Sequence, residues 1–117
     1  MALEISTRSG HVTTVVTVTG EIDVASTGAL RRALTAAGDE GERQVVADLS
    51  GVTFIDSSGI GVLIGRTKAM HREGGALAVV ATHERVLRTF ALTGVDQVLA
   101  IHATVDEAVH TLAITRE

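Results

Sequence analysis

Two kinds of hydrophobic spacing alternate along the chain. Near the amino terminus, Leu3–Thr7 and Val12–Thr19 are rich in β-branched side chains, and the second segment repeats them at every other position, which predicts the two strands of a hairpin. Two later segments, Gln44–Leu49 and Ala76–Ala81, are short and almost continuously apolar, which is typical of strands inside a sheet. A short fifth strand is predicted over Val98–Ile101.

Four other segments repeat apolar residues every three or four positions, as a helix with one buried face requires. The first three are predicted over Ala25–Ala37, Ser58–Arg72 and Glu84–Leu92, and the fourth follows a capping box formed by Thr104 and Glu107. The positions predicted to face the core are Ala29, Leu30, Ala33, Leu34 and Ala37 in the first helix, Ile60, Leu63, Ile64, Thr67 and Met70 in the second, Val86, Leu87 and Phe90 in the third, and Val105, Ala108, Val109, Leu112 and Ala113 in the fourth.

The resulting order, ββαβαβαβα, predicts an α/β fold. With 117 residues the chain has the length of one domain, so residues 1–117 are expected to form a single unit. The sheet should contain about five strands and be mixed, parallel except for the first hairpin strand. Because crossovers between neighbouring parallel strands share one hand, we expect the helices to lie on one side of the sheet.

Composition narrows the possible functions. Fourteen acidic against ten basic residues give a net charge of -4, so direct binding to nucleic acid is not expected. No segment is apolar over the length of a membrane span or resembles a secretory signal, so no membrane association and a cytoplasmic location are expected. The chain contains no cysteine and no recognisable metal-binding motif, and we expect neither a metal nor a cofactor.

The most informative segment joins the third predicted strand to the second helix. In open α/β sheets, binding sites gather where strands end and helices begin, and residues 50–59 are predicted to form such a loop. Asp56, Ser57 and Ser58 are all residue types that cap helix amino termini. Their local chemistry is therefore compatible with a purely structural role as well as with a functional one.

The second helix carries an unusual polar face. At about 100° per residue, Ser58, Gly61, Gly65, Lys68 and Arg72 share the face opposite the apolar stripe, and Val62 lies beside them. Each glycine inside a helix costs roughly 1 kcal/mol relative to alanine. A closely approaching partner protein would explain both glycines, and so would close packing against another element of the same domain.

Three segments around this junction resemble the signature of anti-sigma factor antagonists, which are STAS-domain proteins. They are Asp48-Leu49-Ser50-Gly51-Val52, Phe54-Ile55-Asp56-Ser57-Ser58-Gly59-Ile60-Gly61-Val62-Leu63 and Gly65-Arg66. Upstream, the segment Thr19-Gly20-Glu21-Ile22-Asp23 resembles the end of the family's second strand, and Gly74-Gly75 and Leu92-Thr93-Gly94 resemble its turns. The resemblance spans nearly the whole chain.

The resemblance implies a partner-switching cycle rather than catalysis by this chain. The unphosphorylated antagonist binds an anti-sigma factor that is also a serine kinase, and thereby frees a sigma factor. The family's phosphorylated residue follows the Asp of the motif, which is Ser57 here, and a phosphatase would reset it. The residues expected to contact the partner are Asp23, Asp56, Ser57, Ser58, Gly59, Gly61, Val62 and Gly65. For Asp23, a role as the amino-terminal cap of the first helix is an open alternative.

Other function classes fit less well. Ser57 has Ile55 and Gly59 at the positions where a nucleophile elbow needs two glycines, so that motif is not met, and the five histidines show no triad spacing. Gly59, Gly61 and Gly65 miss the dinucleotide fingerprint by one residue. The remaining rival has the same fold: a STAS module could be a scaffold subunit of a signalling or transport complex without control of a sigma factor.

Overall fold

The computed structural model describes residues 3–9, 13–39 and 44–115, with side chains up to residue 113. Within these residues the chain forms five strands and four helices in the predicted order. They are β1 Glu4–Ser9, β2 Thr13–Ile22, α1 Thr27–Gly38, β3 Gln44–Ile55, α2 Ser57–Arg72, β4 Ala76–Val80, α3 Glu84–Thr93, β5 Ile101–His102 and α4 Val105–Thr115, with a 3-10 helix at Val95–Gln97 before β5. Val12, predicted to begin the second strand, lies outside the described residues.

The five strands lie side by side in sequence order. β1 pairs antiparallel with β2, and every other neighbouring pair is parallel, which confirms the predicted α/β class and mixed sheet. The parallel arrangement brings the carboxyl ends of β2, β3 and β4 to one border of the sheet, named the carboxyl edge below. Helices α1, α2 and α3 all begin there. In the described part of the chain, no helix is long and apolar enough to cross a membrane.

The helices do not all lie on one side of the sheet, and this prediction was wrong. Helices α1, α2 and α3 share one core cluster with Val16 and Val45. Helix α4 packs through Ala108 and Leu112 on the other face, against Val15 and Val46. Because neighbouring residues of the central strands are both apolar, both faces of the sheet need to be covered.

Strand β3 continues through the segment that was predicted to be a loop. Its register against β2 slips twice: Thr17 pairs with Asp48 but Thr19 with Gly51, and later Gly20 pairs with Val52 but Glu21 with Phe54. Each slip inserts one extra residue into β3, as a β-bulge does. The β3 residues that face helices α1, α2 and α3 are therefore spaced by two and then by three positions, at Val45, Ala47, Leu49, Val52 and Ile55. The continuous apolar run predicted too early an end for the strand, because exposed residues such as Ser50 and Thr53 interrupt it beyond Leu49.

Gly51 allows the first bulge to fit against β2. A Cβ atom at this position would lie 2.5 Å from Cγ2 of Thr19, which is too close for any real side-chain contact. Only glycine lets the two backbones keep this spacing.

Several smaller expectations also change. The last strand is Ile101–His102, because the preceding residues form the 3-10 helix. Leu87 is 39% exposed and Ala113 is exposed, so neither belongs to the core. The capping box is partly formed: the Thr104 hydroxyl accepts from the Glu107 amide, but the Glu107 carboxylate accepts from the Ala103 amide instead of that of Thr104.

Candidate functional site

The ends of β2 and β3 lie side by side at the carboxyl edge. Ile22 pairs with Ile55 in the parallel register, and the Asp56 amide donates to the Ile22 carbonyl at 3.1 Å. Asp23 and Asp56 are the next residues of the two strands. The carboxylates of Asp23 and Asp56 therefore occupy neighbouring strand ends.

Asp56 caps helix α2. Its Oδ1 atom accepts from the backbone amides of Ser58 at 2.9 Å and Gly59 at 3.2 Å, and also from the Ser58 hydroxyl. These hydrogen bonds hold the pKa of Asp56 below its ordinary value of 3.8, and the bond from the Ser58 hydroxyl has the largest effect. They stabilise the ionised carboxylate by more than its slight desolvation destabilises it. Its Oδ2 atom accepts no hydrogen bond from the described residues.

The two serines beside Asp56 occupy different environments. Ser57 is the first residue of α2, is exposed, and its hydroxyl makes no hydrogen bond within the described part of the chain. Ser58 is half-buried and its hydroxyl donates to Asp56. Of the two hydroxyl groups, that of Ser57 is therefore accessible and free to react, whereas that of Ser58 holds the cap together.

Asp23 shapes the turn between β2 and α1. Its Oδ1 atom accepts from the Ala25 amide at 3.1 Å and from the Ser26 hydroxyl at 3.3 Å. Helix α1 begins at Thr27 with Ser26 in the cap position, so the alternative that Asp23 itself caps this helix is wrong. The Asp23 Oδ2 atom makes no hydrogen bond within the described residues and faces no ion-pair partner there.

The outer face of α2 is open along four turns. Apart from the backbone of α2 itself, a Cβ atom on Gly61 or Gly65 would meet none of the described residues within 4 Å, so close packing inside the domain does not require either glycine. That alternative is wrong. Gly61 and Gly65 share the exposed face with Ser57, Lys68 and Arg72, and these five residues are named the exposed strip.

Two residues expected at the partner surface are instead buried. Val62 is only 3% exposed, and Gly59 is buried as well. A Cβ atom on Gly59 would lie 2.5 Å from Cγ2 of Ile22 and 2.8 Å from Cγ1 of Ile55, so this glycine lets α2 rest on the ends of β2 and β3. Because α2 also packs against α1, its buried face is rotated toward Val62 and away from Ile64, which is half-buried.

Comparison with known families identifies the domain. The family model of the STAS domain matches residues 2–108. The chain belongs to the STAS domain family. Over 88 residues it is 35% identical to the anti-sigma-B factor antagonist of Bacillus subtilis, covering 75% of this chain and 80% of that protein.

Solved structures agree with this STAS assignment. An anti-sigma factor antagonist from Mycobacterium paratuberculosis superimposes with a TM-score of 0.87 at 29% identity, over 96% of this chain and 95% of that one. The murine Slc26a9 anion transporter contains the same fold, with a TM-score of 0.78 at 22% identity over 92% of this chain but only 18% of the transporter. The second likeness shows shared fold alone.

In this STAS domain, sequence reasoning missed one exposed residue beside the site. Val24 follows Asp23 in the turn between β2 and α1 and is 76% exposed. The sequence does contain an indication of this exposure, because the apolar Val24 lies between two turn-forming residues, Asp23 and Ser26. Among the residues that the structure describes, no group of three or more histidine, aspartate or glutamate side chains could hold a metal ion.

Proposed function

We propose that this STAS domain is an anti-sigma factor antagonist controlled by phosphorylation of Ser57. The unphosphorylated form binds an anti-sigma factor with serine kinase activity and frees a sigma factor, and phosphorylated Ser57 ends that binding. The observation that carries the proposal is the exposed Ser57 hydroxyl, which makes no hydrogen bond to the described residues, at the start of an exposed helix face. In this proposal the chain contributes no catalytic residue, and a separate phosphatase resets Ser57.

A phosphate on Ser57 need not disturb the fold. It would add a charge of roughly -1.5 to -2 at the amino terminus of α2, where the helix dipole favours anions. Ser57 is exposed, and its side chain makes no hydrogen bond with the described residues that phosphorylation would break. The cost of the modification would therefore fall on the complex with the partner.

The neighbouring carboxylates make that cost larger. The lowered pKa of Asp56 keeps this group ionised at neutral pH, directly before the modified residue. Asp23 lies at the adjacent strand end, and its Oδ2 atom accepts no hydrogen bond from the part of the chain that the structure describes. A partner surface covering this edge would have to desolvate the phosphate close to two carboxylates, which is unfavourable unless every charge finds a partner.

The exposed strip would extend the docking surface along α2. Without side chains at Gly61 and Gly65, a partner could approach the helix backbone closely, which offsets the low helix propensity of glycine. In this proposal Asp23, Asp56, Ser57, Gly61 and Gly65 contact the partner. Ser58 acts by holding the cap, while Gly59 and Val62 support α2 from the core.

The proposal is tested by mapping the phosphate. Affinity purification from the native host, with the wild type and Ser57→Asp as baits, identifies the partner that only the wild type retains. The purified partner is then incubated with ATP and the wild type, Ser57→Ala or Ser58→Ala. Mass spectrometry should find phosphate on Ser57 in the wild type and in Ser58→Ala, and none on Ser57→Ala.

Binding measurements complete this test. Ser57→Ala should bind the partner as the unmodified wild type does, and Ser57→Asp should bind weakly, with unchanged circular dichroism for both. Phosphate on Ser58, or no phosphate at all, contradicts the assignment. Retention of transport or signalling subunits without a kinase would instead support the scaffold role.

A further inference from the structure

Val24 is an exposed apolar side chain at the tip of the turn between β2 and α1. Its exposed fraction of 76% is far above that of the neighbouring Ile22, which is fully buried. Single apolar residues on a protein surface are common and need no explanation by themselves. The position of Val24 and the rigidity of its turn are what distinguish it.

The turn is held by a dense set of hydrogen bonds. The Asp23 carbonyl accepts from the amides of Ser26 at 3.0 Å and Thr27 at 3.1 Å, and the Thr27 hydroxyl donates to the Val24 carbonyl at 3.1 Å. The Asp23 amide in turn donates to the Ser26 hydroxyl at 3.0 Å. Together with the bonds of the Asp23 carboxylate, these contacts fix the backbone on both sides of Val24.

A fixed turn lowers the entropic cost of docking. Valine has a stiff side chain with few rotamers, and its backbone here is already ordered. Burying such a group in a partner protein retains more of the hydrophobic gain than burying a flexible one. Val24 is thus presented to solvent in an arrangement suited to binding.

The surroundings of Val24 match the edge of the proposed docking surface. Val24 lies two residues beyond Ile22, whose carbonyl accepts from the Asp56 amide, so the turn adjoins the start of α2. Asp23 and Asp56 each carry one carboxylate oxygen without a hydrogen bond from the described residues. An apolar centre with a polar, charged border is the usual composition of protein interfaces.

We propose that Val24 is the apolar anchor through which this STAS domain docks on its protein partner. The partner surface would carry a shallow apolar socket for Val24 beside a lysine or arginine that pairs with the free oxygen of Asp23. This inference rests on the proposed function for the identity of the partner. It adds an apolar contact, made by Val24 in the turn before α1, to the contacts already proposed for Asp23 and for the exposed strip of α2.

The test measures how substitutions of two exposed apolar residues change the affinity for an anti-sigma factor. This anti-sigma factor is the one that co-purifies with the wild type from its host. Val24→Ser should weaken binding about tenfold, because the apolar contact is lost, whereas Val24→Ile should bind as the wild type does. Leu92→Ser is the control: Leu92 is 81% exposed but lies in the last turn of α3, which runs away from the carboxyl edge, and its substitution should leave binding unchanged.

Salt dependence separates the apolar anchor from the charged border. Raising NaCl from about 50 mM to about 500 mM should weaken the wild type and Val24→Ser by the same factor, because salt screens charges and not apolar contacts. Asp23→Asn should show a smaller salt effect, since it lacks the charge that pairs with the partner. Thermal unfolding of each variant should match the wild type, because these side chains are exposed or half-buried.

The outcomes distinguish this inference from the proposed function. If Val24→Ser binds like the wild type while Ser57→Asp does not, Val24 is no anchor and the phosphorylation switch stands. If Leu92→Ser weakens binding as much as Val24→Ser does, the effect is not specific to the turn and the inference is overturned. If Val24→Ser weakens binding but Ser57→Asp does not, the anchor stands and the switch fails.

Discussion

The same substitution in one helix should have opposite effects at Gly59 and at Gly61. Both glycines lie near the start of α2, two residues apart. A Cβ atom on Gly59 would meet Cγ2 of Ile22 at 2.5 Å and Cγ1 of Ile55 at 2.8 Å, whereas on Gly61 it would meet nothing within 4 Å. Gly59→Ala therefore overfills the core, while Gly61→Ala changes only the helix propensity.

The magnitudes follow from two opposing terms. Replacing glycine by alanine in a helix stabilises by roughly 1 kcal/mol, and inserting a methyl group into a packed core costs roughly 1 to 3 kcal/mol. Ile22 and Ile55 are both buried and contact the new methyl group through atoms near their backbones, so they have little room to move. We expect Gly59→Ala to lower the free energy of unfolding by up to about 2 kcal/mol, and Gly61→Ala to raise it by about 0.5 to 1 kcal/mol.

Urea unfolding followed by circular dichroism measures both values. Gly65→Ala is the internal control, because it also meets nothing within 4 Å and should be stabilising like Gly61→Ala. The two stabilising variants should also bind the anti-sigma factor more weakly, because each adds a methyl group to the exposed strip. Their effects on stability and on binding affinity should therefore have opposite signs. Equal destabilisation at Gly59 and Gly61 would refute the placement of α2 on the strand ends.

Two further predictions concern the cap and the bulge. The pKa of Asp56 in the folded state is lower than its ordinary value of 3.8. At pH values above 3.8 the ionised carboxylate therefore stabilises the folded protein. This stabilisation is lost as the pH falls below 3.8 and then below the folded-state pKa. The free energy of unfolding of the wild type should therefore exceed that of Asp56→Asn at neutral pH, and the difference should shrink in acid; a difference that does not change with pH in urea unfolding would contradict this. Gly51→Ala should destabilise by about 1 to 3 kcal/mol, because the new Cβ would lie 2.5 Å from Cγ2 of Thr19. Thr19→Ser removes that methyl group and should recover most of the loss in the double variant, whereas simple additivity would show that the contact is not the cause.

The centre of the proposed docking site was predictable from the sequence, but its margins were not. Asp56 was one of three candidates for the cap, and the motif around it carried the resemblance that the family match confirms. Exposure of Gly61 and Gly65 followed from helix periodicity. Burial of Val62 did not, because it depends on α1 packing beside α2, and periodicity within one helix contains no information about its neighbours.

The different environments of the two serines also depended on three-dimensional geometry. Sequence alone treats Ser57 and Ser58 as equivalent capping residues, and only the resemblance singled out Ser57. In the structure the Ser58 hydroxyl turns back to Asp56, while Ser57 lies on the outer face of α2. Val24 was likewise missed, since its exposure results from the turn that Asp23 and Ser26 close.

By itself, the sequence determined the order of strands and helices and that a capping residue stands at the start of α2, because both depend on spacings of a few residues within one segment. The tertiary structure alone decided which side of the sheet α4 covers, where β3 bulges and which arc of α2 is buried. These features depend on contacts between segments far apart in the chain, such as Gly51 with Thr19 and Gly59 with Ile22. Local periodicity shows that a residue favours burial, but the neighbouring elements decide whether it is covered.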